Sequence, residues 1–231
     1  SDNVLFFIHR ESLKYSAARF LPVEFKAIKH EIVPLTETSE VLELLFIFLY
    51  QKPLPDVKGL SFEILTHLAE AAEKYQVFSA MMICNMRMTV VFKDHPLDVL
   101  RYAVIHHYKE LIDIAAPLVI ECQPLPETID RLPPNTIAAW IKYYQQWLDA
   151  LVKVYHPYSC YPLCSNSHSP RRAKAMEDLM GRRFVLHNVG NILAYYAASG
   201  HSAIQEWQYN SLRTMNTITP FSEFLYPNSS S

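Results

Sequence analysis

Val41-Leu-Glu-Leu-Leu-Phe-Ile-Phe-Leu-Tyr50 is apolar at every position except Glu43, and this stretch decides the fold. A segment that is apolar on all sides predicts a helix that is buried on all sides. Thr38 or Ser39 can cap its start, and Pro53 ends it, because proline lacks the N–H and disfavours a helical residue before it. The stretch therefore predicts a central buried helix without catalytic groups.

Two segments flank this helix. Glu31-Ile-Val-Pro-Leu35 precedes it and is predicted to form a short extended strand. Ser61–Lys74 follows it and has apolar residues at helical spacing, with glutamates on the opposite side. This pattern predicts a second, amphipathic helix. The order expected from these residues is strand, buried helix, proline loop and helix.

Five short segments follow one another in an order that is found in a known family. They are Phe7-Ile8-His9-Arg10 with Leu13, Ser16 and Phe20, then Glu31–Leu35, Val41–Tyr50, Pro53-Leu-Pro-Asp56 and Leu68-Ala-Glu-Ala-Ala-Glu-Lys-Tyr-Gln-Val77. This order resembles the BTB/POZ domain, in which a strand leads into a buried helix and a proline loop precedes a helix reading L-x-x-A-A-x-K-Y-x-V. The resemblance covers about residues 3–92. Its Leu-Pro-Asp loop is similar to that of BTB proteins of mushroom-forming fungi.

The resemblance implies an α+β, helix-dominated fold class: a BTB/POZ-like domain with a short sheet, followed by a helical C-terminal extension. The expected divisions are a BTB/POZ-like domain at 1–92, a helical extension at 94–158, an irregular connector at 159–170, C-terminal helices at 171–216 and a frayed tail at 217–231. The implied function is a protein–protein interaction module. It would form homo- or hetero-oligomers, serve as a substrate adaptor on a cullin-type ubiquitin ligase scaffold, or do both. The candidate interaction-surface residues are Leu5, Phe7, His9, Arg10, Phe20, Tyr50 and Tyr75.

The beginning of the sequence departs from the family pattern. BTB domains start with a strand that carries an aspartate upstream of the His-Arg pair, and too few residues precede Arg10 here to form that strand. We therefore expect the domain to be N-terminally truncated, which would weaken a dimer made by strand exchange. A truncated, non-functional relative of the family is a further interpretation of the same feature.

Composition and charge exclude several classes of function. The net charge of −2 gives no electrostatic attraction to nucleic acid or to an anionic membrane. The four glycines are widely scattered, which excludes a glycine-rich phosphate loop. Four cysteines are too few for a disulfide framework, and no N-terminal apolar run is long enough for a secretion signal. We expect an intracellular protein of the cytoplasm, the nucleus or both.

Four methionines lie in the helix predicted after Val77: Met81, Met82, Met86 and Met88. A methionine stripe can form an adaptable binding groove. Branched apolar residues stand among these methionines, so packing into the core is the favoured interpretation.

Helices also dominate the region that follows. A helix starting at Pro96 is expected to continue past Tyr108 and to be kinked or broken at Pro117. The prolines between residues 121 and 134 predict a linker. Asn135 or Thr136 then caps the clearest helix of the chain, which runs to Tyr155 with apolar residues at helical spacing.

A metal site and a nucleic-acid surface are the alternatives to a protein-interaction module. His156, Cys160, Cys164 and His168 supply two imidazoles and two thiols, which suit tetrahedral zinc. The prolines among them favour an irregular connector instead, so no cofactor is expected. The basic residues between Arg171 and Arg183 are interrupted by acidic ones, which favours a solvated helix face.

The sequence contains no known catalytic motif. A nucleophile elbow, a zinc-protease helix and a carboxylate pair with apolar flanks are all missing. We therefore expect a binding protein and not an enzyme.

Overall fold

The computed structural model describes most of the chain. The described residues are 2, 4–9, 32–50, 55–155, 174–175, 177, 189–198 and 202–227. They divide into two compact units, Ser1–Phe92 and Lys93–Ser231, which we call unit 1 and unit 2. Each unit is described by itself.

Unit 1 contains three helices in its described part. They are α1 Ser39–Ile47, α2 Phe62–Tyr75 and α3 Phe78–Val91. A 3-10 turn at Val57–Gly59 precedes α2. The buried helix predicted at Val41–Tyr50 is confirmed as α1, although its last three residues form a turn. The amphipathic helix predicted at Ser61–Lys74 is confirmed as α2.

Both ends of α2 are capped. The side chain of Ser61 accepts a hydrogen bond from the backbone N–H of Ile64. At the other end Gln76 adopts a left-handed conformation, with φ of 55°. The backbone N–H of Val77 then bonds the carbonyl of Ala72, 2.9 Å away. This is the Schellman turn, in which glycine is the usual left-handed residue. The sharp reversal allows α3 to begin two residues later.

The predicted α+β fold class is wrong for the part of the chain that the structure describes, which is helical and contains no β-strand. Residues 32–35, which belong to the predicted strand Glu31–Leu35, form neither helix nor strand, and the same holds for residues 4–9. A strand exists only where a second segment pairs with its backbone, and a local run of apolar residues cannot supply that partner. Pro34 also has no N–H to offer to a sheet. The BTB-like sheet is therefore not observed among the residues that the structure describes.

Unit 2 is also helical throughout its described part. Its helices are α4 Pro96–Ile105, α5 Lys109–Cys122, α6 Leu125–Arg131, α7 Ile137–Tyr155, α8 Val189–Ala197, α9 Ser202–Met215 and α10 Phe221–Leu225. Helix α4 packs on α5, and α7 packs on α9 and α10. The core between α7 and α10 is aromatic, with the buried rings of Trp140, Tyr143 and Phe221 in mutual contact.

Four features of unit 2 test the sequence predictions. The helix predicted after Asn135 or Thr136 is confirmed as α7. The helix expected to continue past Tyr108 instead ends at Ile105, where His107 takes a left-handed conformation in a second Schellman turn. Helix α5 is not broken at Pro117. The predicted linker contains the short helix α6.

None of the helices among the described residues is long and apolar enough to cross a bilayer.

Candidate protein-interaction surface

Helix α3 has two opposite apolar faces. Ala80, Cys84 and Met88 are spaced four residues apart and are fully buried against the rest of the chain. Residues Phe78, Met82, Met86 and Val90 have the same spacing but are offset by two positions. Because successive residues turn by about 100° around a helix, the two sets point in nearly opposite directions.

The second set is exposed to solvent. The relative exposures of Phe78, Met82, Met86 and Val90 are 62%, 64%, 64% and 62%. We call these four residues the α3 outer face. A single exposed apolar side chain is ordinary, whereas a contiguous apolar patch marks a site that binds a protein or another apolar surface.

No charge lies on the α3 outer face. Arg87 is the one charged residue of α3 in the sequence. Its guanidinium donates a hydrogen bond of 3.1 Å to the backbone carbonyl of Lys58, in the 3-10 turn before α2. The arginine is therefore engaged by the protein's own backbone, and Thr89 is the exposed polar neighbour that lies along the face.

Helix α3 is held in place by packing on its inner side. It packs along α2 and on the 3-10 turn. Burial, reinforced by the nearby Glu73 carboxylate, raises the pKa of the Cys84 thiol on its inner side to about 12. A thiol with such a pKa stays protonated and behaves as a small apolar core residue. The inner side of α3 is thus dry, while the outer side meets water.

A polar cluster holds the helices α1 and α2 together. The Tyr75 hydroxyl donates a hydrogen bond of 2.6 Å to Oε2 of Glu37, just before α1. Lys74 Nζ lies 2.6 Å from Oε1 of the same carboxylate and 2.8 Å from the Thr36 hydroxyl. Partial burial acts to raise the pKa of Glu37, but the hydrogen bonds from Lys74 and Tyr75 outweigh it and hold that pKa below its ordinary value.

The predicted interaction residues lie in different environments. Leu5, Phe7 and His9 are exposed, and Phe7 is 95% exposed. Tyr50 is half-buried, and its phenol oxygen accepts a hydrogen bond from the backbone N–H of His9 at 3.4 Å. The structure does not bring these residues together with the α3 outer face in any described contact.

The remaining predicted interaction residues are Tyr75, Arg10 and Phe20. Tyr75 is buried, with 6% exposure, so it belongs to the interior of unit 1 and not to an accessible surface. Its last-turn position in α2 turns the ring inward, toward Glu37. Arg10 and Phe20 lie outside the described residues.

The predicted zinc candidates His156, Cys160, Cys164 and His168 also lie outside the described residues. Among the residues that the structure does describe, no three metal-binding side chains come together. In the basic segment, Lys174 forms an ion pair of 3.1 Å with Glu177. Zinc binding is therefore an untested alternative to the irregular connector that the sequence favours, and stoichiometric zinc that is lost in Cys164→Ser would establish it.

The sequence interpretation missed the outer methionines. It favoured core packing for all four, which is correct for Met88 and wrong for Met82 and Met86. The sequence alone does not separate the two sides of α3, because apolar residues occupy both of them. Packing on α2 and on the 3-10 turn buries the side that carries Ala80, Cys84 and Met88.

Comparisons with protein-family models, with curated proteins and with solved structures found no match. The resemblance to BTB/POZ domains therefore stays a prediction from the sequence.

Proposed function

We propose that this chain is a protein–protein interaction module that self-associates through unit 1. The observation that supports the proposal is the α3 outer face, an exposed and uncharged apolar stripe on a well-packed helix. Two of its four residues are methionines, whose flexible side chains adapt to a partner surface. Docking of an apolar helix face into an apolar groove is a recurrent way in which a helix binds a partner protein.

The size of the stripe indicates the strength of the association. Four large side chains at the observed exposure form a patch of the size of the largest apolar patches on single proteins, which cover roughly 300 to 600 Å². Two such patches together bury roughly 600 to 1,200 Å², which is at or below the lower limit for a specific interface. A weak, concentration-dependent complex follows.

Light scattering on the purified chain, over a concentration series, tests this proposal. The expected result is a mass that rises from one chain toward two as concentration increases. A mass of one chain at every concentration would exclude self-association as the function of unit 1.

The adaptor role on a cullin-type scaffold is the second form of the interaction proposal. It rests on the sequence resemblance, and the described part of the structure lacks the sheet that is part of that resemblance. Titration calorimetry of the chain with a purified cullin N-terminal domain tests it directly. Heat of binding with one-to-one stoichiometry would support an adaptor role, and no heat at micromolar concentrations would remove it.

A further inference from the structure

We infer that two copies of this chain pair through the α3 outer face in an antiparallel arrangement about a two-fold axis that passes beside position 84. This inference rests on the proposed self-association and names the surface and the geometry that produce it. The spacing of the stripe and the absence of charge on it support the inference, and the spacing also sets the expected crossing angle.

The spacing of the face is symmetric. Residues 78 and 90 lie equally far from position 84, and so do residues 82 and 86. In a two-fold interface, if residue i contacts residue j, then j contacts i. An antiparallel pair centred at position 84 therefore places Met82 opposite Met86 of the second copy, and Phe78 opposite Val90. Every large exposed side chain of α3 then has an apolar partner.

The charge pattern fits a second copy better than it fits a charged partner. Any charge on a self-complementary surface near the axis would face its own like across the interface, which is unfavourable. The α3 outer face carries none, because Arg87 is bound to the Lys58 carbonyl. The antiparallel direction also opposes the two helix dipoles, which a parallel pair would align.

The stripe also predicts a crossing angle. Residues spaced by four form the ridge that is inclined to the helix axis, and packing two such ridges gives helices that cross at about 50°. The two ridges then run alongside each other, although the helix axes cross. All four residues of the stripe can contact the second copy, with the two methionines nearest to the axis.

Substitution by glutamate tests the surface. Met82→Glu and Met86→Glu place a charge on an exposed, helical position, where the monomer tolerates it. Each substitution would leave the helical circular dichroism unchanged. Each would raise the dissociation constant of the dimer, measured by light scattering, at least tenfold. Ile32→Glu is the matched control, since Ile32 is 68% exposed but lies outside α3. The dissociation constant of this variant is expected to equal that of the unsubstituted chain.

Three outcomes are informative. A dimer that persists unchanged in Met82→Glu and Met86→Glu would overturn the inference while leaving self-association intact. A dimer lost in Phe7→Glu but kept in both methionine variants would place the interface on the exposed N-terminal segment and would overturn the inference as well. A chain that is monomeric without any substitution would overturn the inference and the proposed self-association together.

Cysteine cross-linking tests the direction. A disulfide needs Cα atoms within about 7 Å, so an antiparallel pair joins a Met82→Cys chain to a Met86→Cys chain faster than it joins two Met82→Cys chains. Faster joining of two Met82→Cys chains would overturn the antiparallel register. The background retains the buried Cys84 and replaces by serine the other native cysteines, which are Cys122, Cys160 and Cys164.

Discussion

The Tyr75 hydroxyl and the Glu37 carboxylate lie 2.6 Å apart although 38 positions separate them in the sequence. This hydrogen bond ties the last turn of α2 to the residues that lead into α1. Helix α3 starts three residues after Tyr75 and packs on α2. The position of the α3 outer face therefore depends on a junction that the Tyr75–Glu37 pair stabilises.

Replacing Tyr75 by phenylalanine tests this junction. The ring stays, while the partly buried Glu37 carboxylate loses one charge-assisted hydrogen bond. We expect unit 1 to lose about 1 to 2 kcal/mol of unfolding free energy. Native-state hydrogen exchange of α1 and α2 measures the loss. Tyr50→Phe is the matched control, because its bond to the His9 backbone is long at 3.4 Å, and it should cost less than about 0.5 kcal/mol.

Acid should weaken unit 1 through Glu37. Partial burial acts to raise the pKa of Glu37, but the hydrogen bonds from Lys74 and Tyr75 leave it lower in the folded chain than in the unfolded one. A depressed carboxyl pKa gives stability that is fully present above the unfolded pKa and is lost as pH falls through the folded value. The loss should therefore develop below about pH 4. Hydrogen exchange or urea unfolding against pH measures it, and Glu37→Gln should flatten this part of the profile.

Gln76→Gly should stabilise unit 1. Gln76 has φ of 55° in the Schellman turn after α2, and a side chain at a left-handed position costs more than glycine does. After allowing for the greater freedom of glycine in the unfolded chain, we expect a gain of about 0.5 to 1 kcal/mol. Gln76→Ala retains Cβ and should give no gain. Equal effects of the two substitutions would show that the left-handed strain is negligible.

Asp113 should hold α10 in place within unit 2. Its two carboxylate oxygens accept hydrogen bonds from the N–H and the hydroxyl of Ser222, at 2.9 and 2.7 Å. Asp113→Ala would leave both donors unpaired in a partly buried position, at a cost of about 1 to 3 kcal/mol. Ser222→Ala removes only the hydroxyl and should cost less.

Tryptophan fluorescence reports selectively on the unfolding of unit 2, because all three tryptophans of the sequence lie in that unit. Trp140 contacts the ring of Phe221, at a centroid distance of 5.1 Å, so it reports directly on α10. Urea unfolding of Asp113→Ala with an unchanged midpoint would contradict the assigned role.

The sequence predicts those helices whose signal is local. The apolar run of α1, which only Glu43 interrupts, and the five-turn periodicity of α7 are sufficient by themselves. The turn at His107 was missed because its left-handed residue is not glycine. The rings of Tyr102 and Tyr108, which flank the turn, stack on each other and help to fix it. Helix α6 was missed because prolines bracket it, although proline is well tolerated in a first turn.

The surface was harder to predict than the helices. Helix α3 is apolar on two opposite faces, so its periodicity does not show which face is buried. The choice between the Ala80–Met88 side and the Phe78–Val90 side of α3 is made by packing on α2, which is a tertiary contact. The expected strands failed for the same reason, since pairing also requires a distant segment.

Methyl NMR of a chain labelled at its methionines tests the central claim most directly. Met82 and Met86 lie on the α3 outer face, while Met88 is fully buried on the opposite side of the same helix and serves as an internal control. Between dilute and concentrated samples, the methyl resonances of Met82 and Met86 should shift with the same midpoint as the rise in mass, and that of Met88 should stay fixed. A rise in mass with unmoved Met82 and Met86 resonances would contradict the account.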